Sequence, residues 1–328
     1  MSVTRQGTRV GLDPGGPRVT ALGGGYGLSA TLRAARKYAS EVTGVVSVAD
    51  DGGSSGRLRR AFGIPAPGDL RRCLVAMAEP GSIWAEAFEH RFAASELEGH
   101  PLGNIVIAGL TETTGDFALA IDEALRLLGG VGRVIPATAE PVTLKAGYRR
   151  EGGTARRPIS FVGTVEGEAK VGVTAGLTDI AVVPSDPRVH DDAIAAIREA
   201  DQICIGPGSL FTSVLAVLAV PAIREAVAKA RGNRVYICNL SEQHPETSGY
   251  DVAAHVDALL AHGVVLDTVI YDPAGIPLGR LPRGLEVIAR PLADSTGRLH
   301  TPDLLAEALR PHAAVATMVD SGGLPERA

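Results

Sequence analysis

This sequence predicts an α/β fold, with a doubly wound, mainly parallel sheet and a β-rich insertion in the middle of the chain, and three observations support it. The apolar, β-branched run at 19–22 meets four glycines in positions 23–27 and then a helical pattern from Leu28, which is the pattern of a buried strand, a glycine turn and a helix start. The same order returns where the run at 202–205 meets Gly206, Pro207, Gly208 and Ser209, with a helix starting near Leu210. Elsewhere apolar strands alternate with amphipathic helices, except at 131–175, where short β runs are broken by Gly, Pro and charge and show no helical period.

The first turn contains Gly24, Gly25, Tyr26, Gly27 and Leu28. With Ala30 it fits G-x-G-x-x-A, in which small residues let the backbone approach a phosphate at a helix N-terminus. The same residues also suit a tight turn with no ligand. A helix at 28–38 and a strand at 41–49 follow. The strand delivers Asp50 and Asp51, and Asp50 lies about the twenty residues past the turn that a ribose-binding acid favours. Two carboxylates followed by Ser54 and Ser55 suit ligand binding, whether by holding Mg²⁺ through oxygens or by one acid acting as a base, while the serines suit capping of the next helix. Two basic clusters come next, Arg57, Arg59 and Arg60, then Arg71 and Arg72 on a helix at 70–78, and one of them is expected to reach a polyphosphate.

A helix at 83–92 ends near the surface residues His90 and Arg91, and GHPLGN at 99–104 feeds a helix at 105–110, with Asn104 placed to contact a ligand. A structural helix at 116–128 precedes the insertion, which reads as a lid or an interface. The alternation resumes with a strand at 180–183 and a helix at 191–199, then the second turn. There Gly206, Gly208 and Ser209 repeat the logic of the first cradle, and in a doubly wound sheet both would sit on one crevice. The strand at 234–238 ends at Asn239. His244, Glu246 and His255 lack the spacing of a metal site and read as solvated or as backing other groups. A helix at 252–261, strands at 264–271 and 285–289, and a helix at 302–309 complete the chain.

Composition narrows the function. A hydrophobic content of 45% supports a sizeable core, and a net charge of -5 argues against a general nucleic-acid binder. Cys73, Cys204 and Cys238 are odd in number and lie in apolar surroundings, as expected for buried thiols in a reducing compartment. Residues 1–17 lack the apolar run of a signal peptide and read as a disordered leader, and 312–328 read as a frayed tail. The uncharged run at 202–223 is divided by Pro207 and Pro221, which excludes a plain membrane span. An NAD-binding oxidoreductase ranks last, because no convincing acid or base for hydride transfer is present.

GGGYGLS at 23–29, VADDGGSSGRLR at 48–59, PAPGDLR at 65–71, HRF at 90–92, GHPLGN at 99–104, IGPGSLFTSV at 205–214 and YICNL at 236–240 together resemble the gluconeogenesis factor family. That family shares a superfamily with 2-phospho-L-lactate transferase. The resemblance covers 19–309 and implies a cytoplasmic, Rossmann-like protein that binds UDP-N-acetylglucosamine and is needed for cell shape and peptidoglycan synthesis during gluconeogenic growth. Carried over by residue, it implies that the two glycine turns hold phosphates and that Asp50 and Asp51 lie at the centre, as catalytic groups if the protein is an enzyme. Ser54, Ser55, Arg57, Asn104 and Asn239 would then border the ligand. RLHT at 298–301 stands where the family has an RHDT-like stretch with a ligand-contacting Arg, here Arg298, and a phosphorylatable Thr, here Thr301. At position 26 the family usually has Thr. An amino-sugar synthesis enzyme as partner, a homo-oligomer joined through the insertion, and a Mg²⁺-dependent transferase as the alternative activity complete the expectations.

Overall fold

The computed structural model describes residues 12–154 and 157–312. The remainder of the expected leader and the expected tail from 313 onward lie outside the described residues.

The strands are β1 (Arg18–Gly23), β2 (Glu41–Val46), β3 (Arg133–Pro136), β4 (Thr143–Thr154), β5 (Arg157–Glu166), β6 (Leu177–Val183), β7 (Gln202–Ile205), β8 (Asn233–Ile237), β9 (Thr268–Tyr271) and β10 (Glu286–Ala289). The helices are α1 (Gly25–Ala35), α2 (Gly53–Phe62), α3 (Gly68–Met77), α4 (Ile83–Glu89), α5 (Leu102–Thr114), α6 (Phe117–Leu127), α7 (Glu168–Val171), α8 (Asp191–Glu199), α9 (Leu215–Leu218), α10 (Pro221–Lys229), α11 (Val252–Ala261) and α12 (Pro302–Leu309), with a π turn (Leu210–Val214) leading into α9.

Seven strands form one parallel sheet in the order β10-β9-β8-β7-β1-β2-β3. β1, β2 and β3 wind outward on one side, and the chain then returns to the centre at β7 and winds the other way. Right-handed crossovers therefore put the helices of the two halves on opposite faces. The central strands are buried on both faces, which explains their continuous apolar runs: Val19, Ala21 and Leu22 of β1 and all four residues of β7 are inaccessible or nearly so. Each large aliphatic side chain buried there contributes about 1.5–3 kcal/mol. The expected fold class is the one observed.

Four of the differences from the expected boundaries bear on how the chain is organised. Arg133–Pro136 belongs to the parallel sheet, paired with β2. The insertion proper is the antiparallel sheet β5-β4-β6, which takes in Leu177–Val183 and with it the strand expected to resume the alternation. β6 shows alternating burial, as suits a strand covered on one face only. α1 starts three residues early, because Gly25 at φ +63° folds the turn directly into the helix. Residues 12–17, expected in the leader, pack on the body: Leu12 lies against the core and the Asp13 N–H donates to Ala39 O at 2.9 Å.

Among the described residues no single helix is long and apolar enough to cross a membrane. Leu210–Leu218 and Pro221–Lys229 share the required composition but are bent by 76°.

Candidate functional site

β1 and β7 are neighbours, so the two glycine turns leave adjacent strand ends and meet at the point where the strand order reverses. A Cβ on Gly27 would stand 2.2 Å from Pro207 O, and one on Gly208 would stand 3.7 Å from Gly24 O. The Thr31 hydroxyl ties the turns together by donating to Gly206 O at 2.9 Å. The cradles thus form one crevice, as the spacing of the motifs predicts.

The crevice has two lobes joined at Tyr26, Gly27, Gly208 and Gln243. The inner lobe, about 390 Å³, is lined by Ser47, Asp50, Asp69, Arg72, Glu168 and Ser213 among others. The outer lobe, about 280 Å³, takes Arg33, Asn239, Ser241, Arg298, Leu299 and Pro302. One lobe is acidic with a single arginine, whereas the other has two arginines and no acid.

Acids from elsewhere in the chain hold the helix starts around the crevice. The Asp69 carboxylate accepts from the Gly25 N–H at the start of α1. Glu246 Oε1 accepts from the N–H groups of Phe211 and Thr212 at 2.6 and 3.3 Å, holding the π turn. Asp51 Oδ1 accepts from the Ala169 N–H at 3.0 Å, which clamps α7 and with it the insertion. Each acid supplies a partner to backbone donors that no intrahelical carbonyl can reach.

Burial and neighbouring acids raise the proton affinity of Asp69 and Glu168. Burial pushes the Asp69 carboxyl up, Asp50 adds to the rise, and Arg72 opposes it through a 2.7 Å ion pair. Burial first, then Asp50, Asp69 and Asp51, raises Glu168 to about 7. Between its ordinary value of 4.5 and 7 the folded chain holds a proton that the unfolded chain releases, so stability is retained below pH 4.5 and lost as pH rises through 7. Glu168→Gln is expected to raise the thermal midpoint at pH 8 by about 3 °C, with the gain vanishing near pH 4.5 in parallel melts.

The residues expected at the site divide into groups. Gly24, Gly25, Tyr26, Gly27, Asp50, Gly208, Ser209, Asn239 and Arg298 line the crevice. Asn239 Oδ1 accepts from the Gly208 N–H at 3.1 Å and its amide donates to Gln243 Oε1. Gln243 in turn donates to the Ser209 hydroxyl at 3.0 Å, so these side chains shape the second turn. Gly206 stands behind it, with its N–H on Leu22 O, and Leu28 is wholly buried. Asp51 faces the insertion and does not share the cavity with Asp50.

Ser54 and Ser55 lie inside the first turn of α2, whose N-cap is Gly52 with no side-chain cap, so the expected capping role is not filled; Asp50 accepts from the Gly52 N–H at 2.9 Å and so shapes the turn that leads into the helix. Both serines are buried. Asn104, expected in a loop, sits in the first turn of α5 and is 2% exposed, beneath the site. Its amide donates to the Ser54 hydroxyl at 3.1 Å and its oxygen accepts from Arg71 Nε at 3.1 Å, while Ser54 pairs with His100 Nδ1 at 2.7 Å. Arg57 turns outward onto Glu98 O at 2.8 Å, so Arg72 is the member of the two basic clusters that reaches the cavity.

Sequence reasoning missed Asp69, Arg72 as distinct from its neighbours, Glu168 and Gln243. Asp69 follows a Pro-Gly turn at a helix start, a signal that was available; Glu168 lies in the insertion, where no pattern marks it. Glu246 and His255 are buried and back other groups, the second of the two expected alternatives. Burial lowers His255 to about 4, leaving a neutral ring bonded to the Tyr236 hydroxyl at 3.0 Å. The three cysteines are free and buried, as expected, and burial raises all three thiols.

Among the described residues no three His, Cys, Asp or Glu side chains converge as a preformed metal cage. Asp50 and Glu168 line one cavity beside the glycine neck, and that oxygen set fits Mg²⁺, which takes one or two carboxylates and completes its shell with phosphate oxygens and water.

Residues 19–293 match the family described as 2-phospho-L-lactate transferase CofD. A gluconeogenesis factor of Halalkalibacterium halodurans is 41% identical over 259 residues, which are 77% of each chain. A relative from Nostoc sp. is 42% identical over 246 residues, 74% of this chain and 52% of that one, so this chain spans about half the length of that relative. A crystal structure of a UPF0052-family protein from Bacillus halodurans superposes with a TM-score of 0.80 at 35% identity, over 90% of this chain and 98% of the other.

Proposed function

This chain belongs to the gluconeogenesis factor family, within the family described as 2-phospho-L-lactate transferase CofD, and from that premise we propose that its crevice binds a nucleotide sugar, UDP-N-acetylglucosamine. The contrast between the two lobes across one glycine neck is the observation that carries the reading. Side-chain-free backbone at Gly25 and Gly208 lets a diphosphate approach closely, and Arg33 and Arg298 favour the nucleotide end in the outer lobe. The inner lobe, rich in acids, would repel further phosphates, whereas its carboxylates accept hydrogen bonds from the hydroxyls of a neutral sugar.

Bound ligand is read out, on this proposal, through an amino-sugar synthesis enzyme in the cytoplasm, supporting cell shape and peptidoglycan synthesis on gluconeogenic carbon. The name carried by the relatives supports the metabolic setting. Calorimetry tests the ligand: UDP-N-acetylglucosamine is expected to bind the wild type, and Asp50→Ala to weaken it at least tenfold. No heat with the wild type, or unchanged affinity in the variant, would overturn the reading.

Glu168 favours a second reading, transfer of a phosphorus-containing group. A carboxyl titrating near 7 beside the neck is suited to take the proton of an attacking hydroxyl at neutral pH. Asp50 would hold Mg²⁺ together with phosphate oxygens and water, leaving the Glu168 carboxylate free as the base, and the ion would supply charge neutralisation. Incubation with a nucleotide sugar, an acceptor alcohol and Mg²⁺ decides it: the alcohol attacks the phosphorus, its proton passes to Glu168 and the nucleoside monophosphate leaves, so its release above that of Glu168→Gln is required.

A further inference from the structure

Tyr26 is 69% exposed, the most exposed aromatic residue among the described residues, although it sits on the first turn of a helix whose other apolar residues are buried. Its ring stands where the lobes join. The Arg72 guanidinium carbon lies 4.6 Å from the ring centroid, and Arg72 is fixed in turn by its 2.7 Å ion pair with Asp69. Arg72 lines the inner lobe only, whereas Tyr26 lines both. One face of the ring is therefore covered by Arg72, while the ring as a whole stays exposed where it lines the outer lobe.

Leu299, on the far side of the sequence, is 62% exposed and lines that same lobe with Pro302. A slot walled by two exposed apolar side chains, with arginines at its rim, has the composition of a site for a flat heteroaromatic ring that carries phosphate. Leu299 is too exposed to serve the core, and the contact that holds the Tyr26 ring is the one with Arg72 at the junction of the lobes.

We infer that Tyr26 is the stacking platform for the ligand's base, with Leu299 closing the slot from the other side, so that this pair confers affinity for nucleotides over base-free phosphates. The inference rests on the nucleotide reading of the crevice and adds to it which lobe takes the base and what holds it. Arg72 contributes by fixing the ring from behind, so the platform needs no reordering when the base arrives. Stacking of one base on one aromatic ring is large enough to measure by alanine substitution.

Calorimetry on the full chain with two probes, UDP and inorganic pyrophosphate, tests this. Tyr26→Ala is expected to lower UDP affinity at least tenfold and leave pyrophosphate affinity within twofold; Tyr26→Phe should bind both as the wild type does, and Leu299→Ala should lose severalfold for UDP alone. Because both side chains are exposed, melting temperatures should not move. Unchanged UDP affinity in Tyr26→Ala, or an equal loss for pyrophosphate, overturns the platform while leaving the nucleotide reading intact. A wild type that takes up pyrophosphate but no UDP overturns both.

Discussion

Gly27→Ala is expected to cost about 3 kcal/mol of stability and to weaken any phosphate ligand at least tenfold. The added methyl would lie 2.2 Å from Pro207 O and 2.6 Å from its carbonyl carbon, both backbone atoms that no rotamer change can move aside. Relief requires the first turn of α1 to separate from the turn after β7, and that junction is the neck of the crevice. Urea unfolding and calorimetry on the same preparations measure both losses. Gly109→Ala is the matched control: it lies within α5, a Cβ there meets nothing within 4 Å, and the change should raise stability by up to about 1 kcal/mol.

Arg71→Met should produce the next largest effect, a loss of about 3 kcal/mol in chemical unfolding. Arg71 is 2% exposed, pairs with Glu89 at 2.6 Å and donates to Asn104 Oδ1 at 3.1 Å. Methionine keeps most of the volume and removes the donors. Glu89, 41% exposed at its side chain, can return to water, but Asn104 cannot. The loss should therefore shrink in the double variant Arg71→Met with Asn104→Leu, which removes the stranded acceptor. Asn104 also holds Ser54, so the single variant should loosen the start of α2 beside Asp50.

The sequence makes the main frame legible because periodicity reports burial. β7, α8, α11 and α12 match their apolar patterns residue for residue, and both glycine turns stand out from composition alone. The edges were harder to read. Nothing local distinguishes Arg133–Pro136, a short strand at the rim of the parallel sheet, from the β runs that follow it, since strand partners are chosen by the tertiary fold. Side-chain direction was harder still. Asp50 and Asp51 are adjacent and chemically alike, yet one faces the cavity and the other clamps α7, a division set by an insertion more than a hundred residues away. Asn104 reads as a loop polar group only until its helix is seen to begin at Leu102.

The meeting of β1 with β7 has a consequence for synthesis on the ribosome. The second strand of the central pair follows the first by roughly 180 residues, and the outer wall is closed by Arg298 and Leu299 later still. A nascent chain therefore carries the first glycine turn without its counterpart through most of translation, leaving one edge of β1 exposed as a template for unwanted pairing. A ligand that needs both turns can therefore bind only after β7 has paired with β1.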